Sequence, residues 1–340
     1  MSGIVGWDIG GANIKASDGE QRSIQVEFAL WDHPDELAGL LRRLSDKHFP
    51  QATRWALTMT GELADCFTTK RDGVQRLVAA AESASAGRTL DVWTTAGEFV
   101  SPDDARDEPI LVAAANWHAL ATWCGRVAPV GHALLVDVGS TTTDIVPLKE
   151  GFPDPEGRTD SERLISGELV YTGARRTPVN TLANAVTFRR RNCPLAAETF
   201  ATTLDVHLLL GEISEDPADR STANGRPATR DAALDRLARM ICCDREECEL
   251  EDALEIAGEL ATAQKLRIAA SIARVIRRFP EPPETVVVSG SGEFLARAAL
   301  DESGESVRRA RRLSLAETLG PQHSSAACAY ALARLAQERP

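Results

Sequence analysis

The sequence predicts an α/β fold: two related domains, each a mixed sheet flanked by helices, around a central cleft. Three observations predict it. Two hairpin patterns, one from Ile4 to Lys15 and one from Ala133 to Leu148, share the order strand, Asp, small residues, strand, Gly turn. Elsewhere predicted strands alternate with predicted helices, which implies a sheet covered on both faces. A third apolar run, Val286-Val287-Val288, enters a Gly-containing turn and then a helical pattern. At 340 residues and 43% hydrophobic, the chain can bury a core of two-domain size.

The second hairpin holds Asp137-Val138-Gly139-Ser140-Thr141-Thr142-Thr143-Asp144 at its bend. Small residues let a ligand approach the backbone N–H groups, and hydroxyls add donors and acceptors. An Asp at the strand end is an acceptor-only group suited to a hydrated divalent cation. Together these describe a phosphate-binding turn. The first hairpin repeats the device as Asp8-Ile9-Gly10-Gly11-Ala12-Asn13-Ile14-Lys15. One such turn reads most simply as a plain hairpin bend. Two copies, each led by Asp, point to a duplicated chain with both turns on one cleft.

Composition excludes several classes. A net charge of −12 gives no field for nucleic acid or an anionic membrane. With 5% aromatic residues, stacking platforms for single strands are not expected. No apolar stretch has the length of a membrane span, and Met1-Ser2-Gly3-Ile4-Val5 lacks the basic region of a leader, so a cytoplasmic location is the default. The seven cysteines are scattered; Cys242, Cys243 and Cys248 cluster without paired spacing and read as reduced thiols or a structural metal site.

In chain order, Ile24 to Phe28 alternates as a third strand, and Asp35 to Lys47, after Pro34, has leucines at helical spacing. Trp55 to Thr60 is a strand ending at Gly61-Glu62-Leu63, a turn able to face the cleft. Lys70 to Ser85 is a helix and Leu90 to Thr94 a strand. Ile110 to Cys124 reads as one buried helix on which Asn116, Trp117 and His118 can line a site, although a lone His there also suits the core. After a loop from Phe152 to Asp160 comes a short helix near Ser161 to Gly167.

The run Glu168-Leu169-Val170-Tyr171-Thr172-Gly173-Ala174-Arg175-Arg176-Thr177-Pro178 puts a carboxylate, a phenol, hydroxyls and two guanidiniums around one Gly. It reads either as an anion clamp or as a solvated loop. Asn180 to Arg191 looks helical. Asp205 and His207 sit in an apolar context, as a proton-transfer or metal pair or as a structural one. Ile213 to Arg230 is a polar loop, Asp231 starts a helix, and Glu251 to Phe279 is a long one. Leu313 to Leu315 is an edge segment, and an Ala-rich helix follows Pro321.

The two Asp-led turns and Val286-Val287-Val288-Ser289-Gly290-Ser291-Gly292-Glu293 resemble, in order and span, the actin-like ATPase superfamily of sugar kinases, Hsp70 chaperones and actin. The resemblance implies an adenosine-binding motif at Gly290, Ser291, Gly292 and Glu293, and hence ATP. It also implies domains over 1–128 and 129–320, the second carrying a substrate-specific segment at 152–230, with the helix at 321–338 packing back on the first.

A finer resemblance is carried by Glu168 to Gly173, Arg176-Thr177-Pro178, Thr203-Leu204-Asp205-Val206-His207 and Thr222-Ala223-Asn224-Gly225-Arg226. These are similar to the hydantoinase/oxoprolinase family, and within it to proteins of tetrahydromethanopterin-linked one-carbon transfer. The implied activity is that of a transferase in methanofuran-type cofactor synthesis. It joins an aminomethylfuran-methyl diphosphate to the phenol oxygen of a γ-glutamyltyramine-type acceptor and releases diphosphate.

On that reading Asp8 and Asp137 hold a hydrated Mg²⁺, with Asp144 in support. Gly10, Gly11, Asn13, Lys15, Gly139, Ser140, Thr141 and Thr142 bind phosphoryl oxygens. Glu168, Tyr171, Thr172, Arg175 and Arg176 meet the acceptor, an arginine holding its carboxylate, and Asp205 or His207 takes the phenol proton. The partner is a phosphorylated small molecule; self-association into a homo-oligomer stays open. Asn13 replaces the Thr or Ser of many kinases, and Ser-Gly-Ser-Gly replaces a triple Gly, so ATP and a diphosphate substrate both remain candidates. The rival functions are an ATP-dependent kinase or oxoprolinase-like amidohydrolase, and a nucleotide switch acting through protein partners. Hydantoinase large subunits are much longer, so hydantoin hydrolysis is not expected.

Overall fold

The protein is seen as a computed structural model that describes residues 3–339; Met1, Ser2 and Pro340 lie outside them. Strands β1 (Ile4–Ile9), β2 (Asn13–Ser17) and β3 (Ser23–Glu27) form an antiparallel ladder. Helix α1 (Leu37–His48) leads to β4 (Arg54–Met59), parallel to β1. Helix α2 (Lys70–Ser85) leads to β5 (Thr89–Trp93), parallel to β4, and β6 (Phe99–Val100) completes the order β3-β2-β1-β4-β5-β6. Helices α3 (Pro102–Asp107), α4 (Pro109–Val112) and α5 (Asn116–Cys124) follow.

The second sheet starts with the hairpin β7 (His132–Val138) and β8 (Thr143–Lys149), then β9 (Phe152–Pro153), α6 (Asp160–Ser166) and β10 (Leu169–Val170). An excursion holds the hairpin β11 (Ala185–Phe188) and β12 (Arg191–Pro194) with α7 (Thr203–Leu210), α8 (Arg230–Arg239) and the long α9 (Leu250–Ile276). The chain returns through β13 (Thr285–Ser289), α10 (Glu293–Glu302), α11 (Glu305–Arg308) and β14 (Arg311–Ser314). It ends in α12 (Leu315–Leu319), α13 (Pro321–Ser325) and α14 (Ala327–Gln337).

The order β10-β8-β7-β13-β14 repeats β3-β2-β1-β4-β5. In both sheets a central strand has an antiparallel hairpin partner on one side and a parallel crossover partner on the other. Between the sheets, α5 and α14 share one core with Ala56 and Trp93 of the first and Leu135 and Val287 of the second. Helix α14 lies so close on β1 that a Cβ at Gly6 would sit 2.2 Å from the Ala329 carbonyl oxygen. A separate core under the excursion joins Val186, Leu204, Leu237 and Ile256.

Two expected elements are corrected. Ile110 to Cys124 is not one helix: it breaks between α4 and α5, where Ala114 takes a left-handed φ of 50°. The break frees the Ala114 N–H to bond the Glu62 carboxylate and starts α5 at Asn116, on the cleft. Asn180 to Arg191 is not helical but a short 3₁₀ turn followed by the β11–β12 hairpin. Phe188 pairs with Arg191, and Arg189 and Arg190 make the two-residue bend with φ of 48° and 66°. Tertiary contacts overrule local propensity here: Arg189 Nη2 reaches Asp252 at 3.1 Å, and Val186 enters the core of the excursion.

Candidate functional site

Both Asp-led turns open onto one cleft of about 550 Å³. In the first, Gly10 donates its N–H to the Asn13 carbonyl at 2.9 Å; in the second, Gly139 donates to Thr142 at the same distance. Each turn is braced by the loop after the parallel neighbour. Thr60 and Gly61 N–H groups donate to Ile9 O at 2.9 and 3.0 Å, and Gly292 N–H to Val138 O at 2.9 Å. The cleft is therefore built at the carboxyl ends of β1, β4, β7 and β13, where open α/β sheets place their ligands.

Opposite signs of charge meet there. Asp8 pairs in register with Lys15, and Asp137 with Asp144. Burial raises the Asp8 carboxyl above its ordinary value, opposed by Lys15 and a hydrogen bond from Asn116. Burial and then the neighbouring Asp144 push Asp137 up to about 6, again opposed by Lys15. Asp144 is raised by burial and held back by Arg163, whose Nη2 lies 2.9 Å from it. Arg163 also donates to Glu168 O at 3.1 Å and stacks 3.9 Å from the Trp117 ring centroid.

Asp8 Oδ1 and Asp137 Oδ1 are buried without a protein hydrogen-bond partner. Among the described residues no three His, Cys, Asp or Glu side chains converge as a cage for a bare metal ion. Two orphaned carboxylate oxygens beside the Asp-led turns could hold a Mg²⁺ ion that keeps most of its water.

The other expected residues divide. Gly10, Gly11, Asn13, Lys15, Gly139, Ser140, Thr141, Thr142, Asp144, Tyr171, Arg176, Gly290 and Ser291 line the cleft with the two aspartates. Gly292 and Glu293 do not. A Cβ at Gly292 would meet Val138 Cγ1 at 2.5 Å, and Glu293 accepts from Ser314 Oγ at 2.6 Å and Ala316 N–H at 2.9 Å, fixing α12. Glu168 is buried below, accepting from Glu156 and Gly157 N–H groups at 2.8 and 3.0 Å and pairing with Arg278 at 2.6 Å. Thr172 is buried against Thr177 and Gln264 at 3.0 and 2.9 Å. Arg175 pairs with Asp219, whereas the Arg176 guanidinium stands 5.5 Å from the Trp31 ring centroid at the cleft.

Asp205 and His207 are structural, and they are not a pair. Asp205 accepts from Thr202 N–H at 2.9 Å and from Arg236 Nε at 2.7 Å, capping α7. His207 bridges Glu212 and Gln264 at 2.6 and 2.9 Å. Neither lines the cleft. His118 is also a core residue, lowered to about 4 by burial. Cleft residues not anticipated include Trp31, Asp160 and Arg163. Glu62 was expected at the cleft from its turn, and the structure buries its carboxylate there in the loop after β4.

Two sheets of one order, each presenting an Asp-led turn to a shared cleft, define a protein of actin-like ATPase fold. The chain belongs to the hydantoinase/oxoprolinase family, which residues 54–339 match. A relative from Methanocaldococcus jannaschii, (4-{4-[2-(gamma-L-glutamylamino)ethyl]phenoxymethyl}furan-2-yl)methanamine synthase, is 34% identical over 339 residues, covering 99% of this chain and 98% of its own. A synthase of the same name from Methanococcus vannielii is 33% identical over 171 residues, 50% of this chain and 76% of its own. Among solved structures, a putative N-acetylmannosamine kinase from Listeria monocytogenes is 16% identical, with a TM-score of 0.47 and 99% of each chain covered. No helix among the described residues is long and apolar enough to cross a membrane.

Proposed function

We propose that this chain is a transferase forming an aryl furfuryl ether in the synthesis of a methanofuran-type one-carbon carrier. It joins an aminomethylfuran-methyl diphosphate to the phenol oxygen of a γ-glutamyltyramine-type acceptor and releases diphosphate. The observation that carries this reading is the 34% identity, along both whole chains, with a synthase whose name describes such an ether. The cleft supports it, with two phosphate turns, a lysine between them and an arginine at the mouth.

The furfuryl carbon leaves diphosphate readily because the furan oxygen stabilises the developing cation. The protein then has to receive a departing polyanion and hold the phenol close. N–H groups of the two turns other than those of Gly10 and Gly139, the hydroxyls of Ser140 to Thr142 and the Lys15 ammonium would bind phosphoryl oxygens. Asp8 and Asp137 would hold a hydrated Mg²⁺, which neutralises diphosphate charge as the bond breaks. Arg176, beside Trp31 and Tyr171, suits the carboxylate of the glutamyl tail.

The test is coupling by the purified protein of synthetic furan diphosphate and γ-glutamyltyramine with Mg²⁺. Ether and diphosphate appearing in equal amounts, without ATP, is the expected result. ATP turnover that depends on a small acceptor, with no ether formed, would replace this reading with a kinase or amidohydrolase.

A further inference from the structure

The coupling step frees a phenol proton, and neither Asp205 nor His207 reaches the cleft to take it. The cleft wall contains another candidate in the loop after β4. Gly61 packs against the first phosphate turn, where an added Cβ would lie 3.2 Å from the Gly10 carbonyl carbon. On the other side, a Cβ at Gly73 of α2 would lie 2.0 Å from the Glu62 carbonyl oxygen. The loop is thus wedged between α2 and the phosphate turn, and Glu62 is fixed beside the site of the leaving group.

Its side chain is 1% exposed, lines the cleft, and has a buried Oε2 without a protein partner. A buried acceptor left unpaired costs stability unless a ligand completes it. The charged groups facing it are Asp160 of α6 and Lys70 of α2, themselves 3.9 Å apart. Burial first, and Asp160 after it, raise the carboxyl to about 7, against the pull of Lys70 and the Ala114 N–H. A base that titrates near neutrality suits proton abstraction at working pH.

We infer that Glu62 is the general base of the transfer, a role that rests on the coupling reaction proposed above. The phenol O–H bond breaks and its proton passes to the Glu62 carboxylate. The freed oxygen pair forms the C–O bond to the furfuryl carbon, whose bond to diphosphate breaks with its electrons on the leaving group. The Glu62 proton then returns to water.

The experiment compares wild type and Glu62→Gln with two acceptors: the ordinary phenol, and a tetrafluoro-ring analogue ionised across the assay range. With the ordinary phenol, Glu62→Gln loses about 10²-fold or more in kcat while Mg·diphosphate binding is unchanged. With the ionised phenol, variant and wild type run within a few-fold of each other. Wild-type turnover rises through about pH 7 with the first acceptor and is flat with the second. Equal rates for the two proteins on the ordinary phenol, or the same loss on both phenols, overturn the role of Glu62. If the variant fails to fold, the wild-type profiles decide, and a rise through pH 7 that persists with the ionised phenol overturns it. A wild type that makes no ether from either phenol overturns the coupling reading itself.

Discussion

Asp137 and Asp144 are direct partners across the β7–β8 ladder, at the register position that Asp8 and Lys15 hold across β1–β2. The two hairpins share a geometry and differ in the sign of one charge. The first hairpin neutralises its aspartate from within, whereas the second sets two carboxylates side by side and borrows Arg163 from α6. The cleft carries buried carboxylates in excess of its cations, a charge that a cation or a protonation relieves.

That excess predicts a stability gain when Asp137 is neutralised. Its carboxyl titrates at about 6 in the fold, above the ordinary 3.8, so the folded state binds a proton that the unfolded state has released. Ionisation therefore costs stability as pH climbs through 4 to 6, by up to about 3 kcal/mol at neutral pH. Asp137→Asn should raise Tm by a few degrees at pH 7.5 without metal, leave it unchanged at pH 4, and abolish turnover. Mg·diphosphate should stabilise wild type and not the variant. Scanning calorimetry at the two pH values checks it, and a Tm lowered at pH 7.5 would refute it.

Arg163 has the opposite role. It is 1% exposed, paired with Asp144, bonded to the Glu168 carbonyl and stacked on Trp117. Removing one partner of a buried pair leaves the other charge uncompensated, at about 3–5 kcal/mol. Arg163→Met should lower the unfolding free energy measured in urea by that amount. Arg163→Lys should recover little, because an ammonium cannot reproduce the fork and the ring stacking together. Full recovery by Lys would mean that only the charge matters.

The reassignment of Asp205 is testable in the same way. Asp205→Asn keeps the shape but loses the ion pair to Arg236 and weakens the α7 cap. The expected result is a loss of about 2–4 kcal/mol of stability with turnover per folded molecule within a few-fold of wild type. Active-site titration with a tight diphosphate analogue counts the folded fraction. A variant that is folded yet inactive would return Asp205 to the chemistry.

What the sequence made legible follows from where each signal resides. Both Asp-led turns were readable because Asp, Gly and hydroxyl or amide residues stand close together in the chain, and Lys70–Ser85 because its apolar face is local. The β11–β12 hairpin was not, since Asn180 to Arg191 has no turn glycine and its bend uses two arginines at positive φ, fixed by a distant Asp252. The role of Glu168 was misread for a related reason. A carboxylate in a polar run looks like a ligand until Arg278, 110 residues away, is seen to hold it. Arg163 acts through Asp144 and Trp117, which other elements supply, and no spacing rule marks it.

Gly173 ties the segment after β10 to the second Asp-led turn. A Cβ there would lie 2.6 Å from both the Gly139 carbonyl oxygen and the Thr141 nitrogen. The segment cannot retreat, because Gln264 donates to the Gly173 carbonyl at 2.8 Å and Thr203 Oγ1 does so from the other element at the same distance. The phosphate turn must move instead. Gly173→Ala should weaken Mg·diphosphate binding about 10-fold or more and cost about 1–3 kcal/mol of stability. Gly258→Ala is the matched control: in α9 its Cβ meets nothing within 4 Å, so it should add about 0.5–1 kcal/mol and leave binding alone. Calorimetric titration of the two variants decides the matter. Equal diphosphate affinity in both would show that the Gly139–Thr142 turn does not hold the phosphate, and the ligand would have to be sought at the first turn alone.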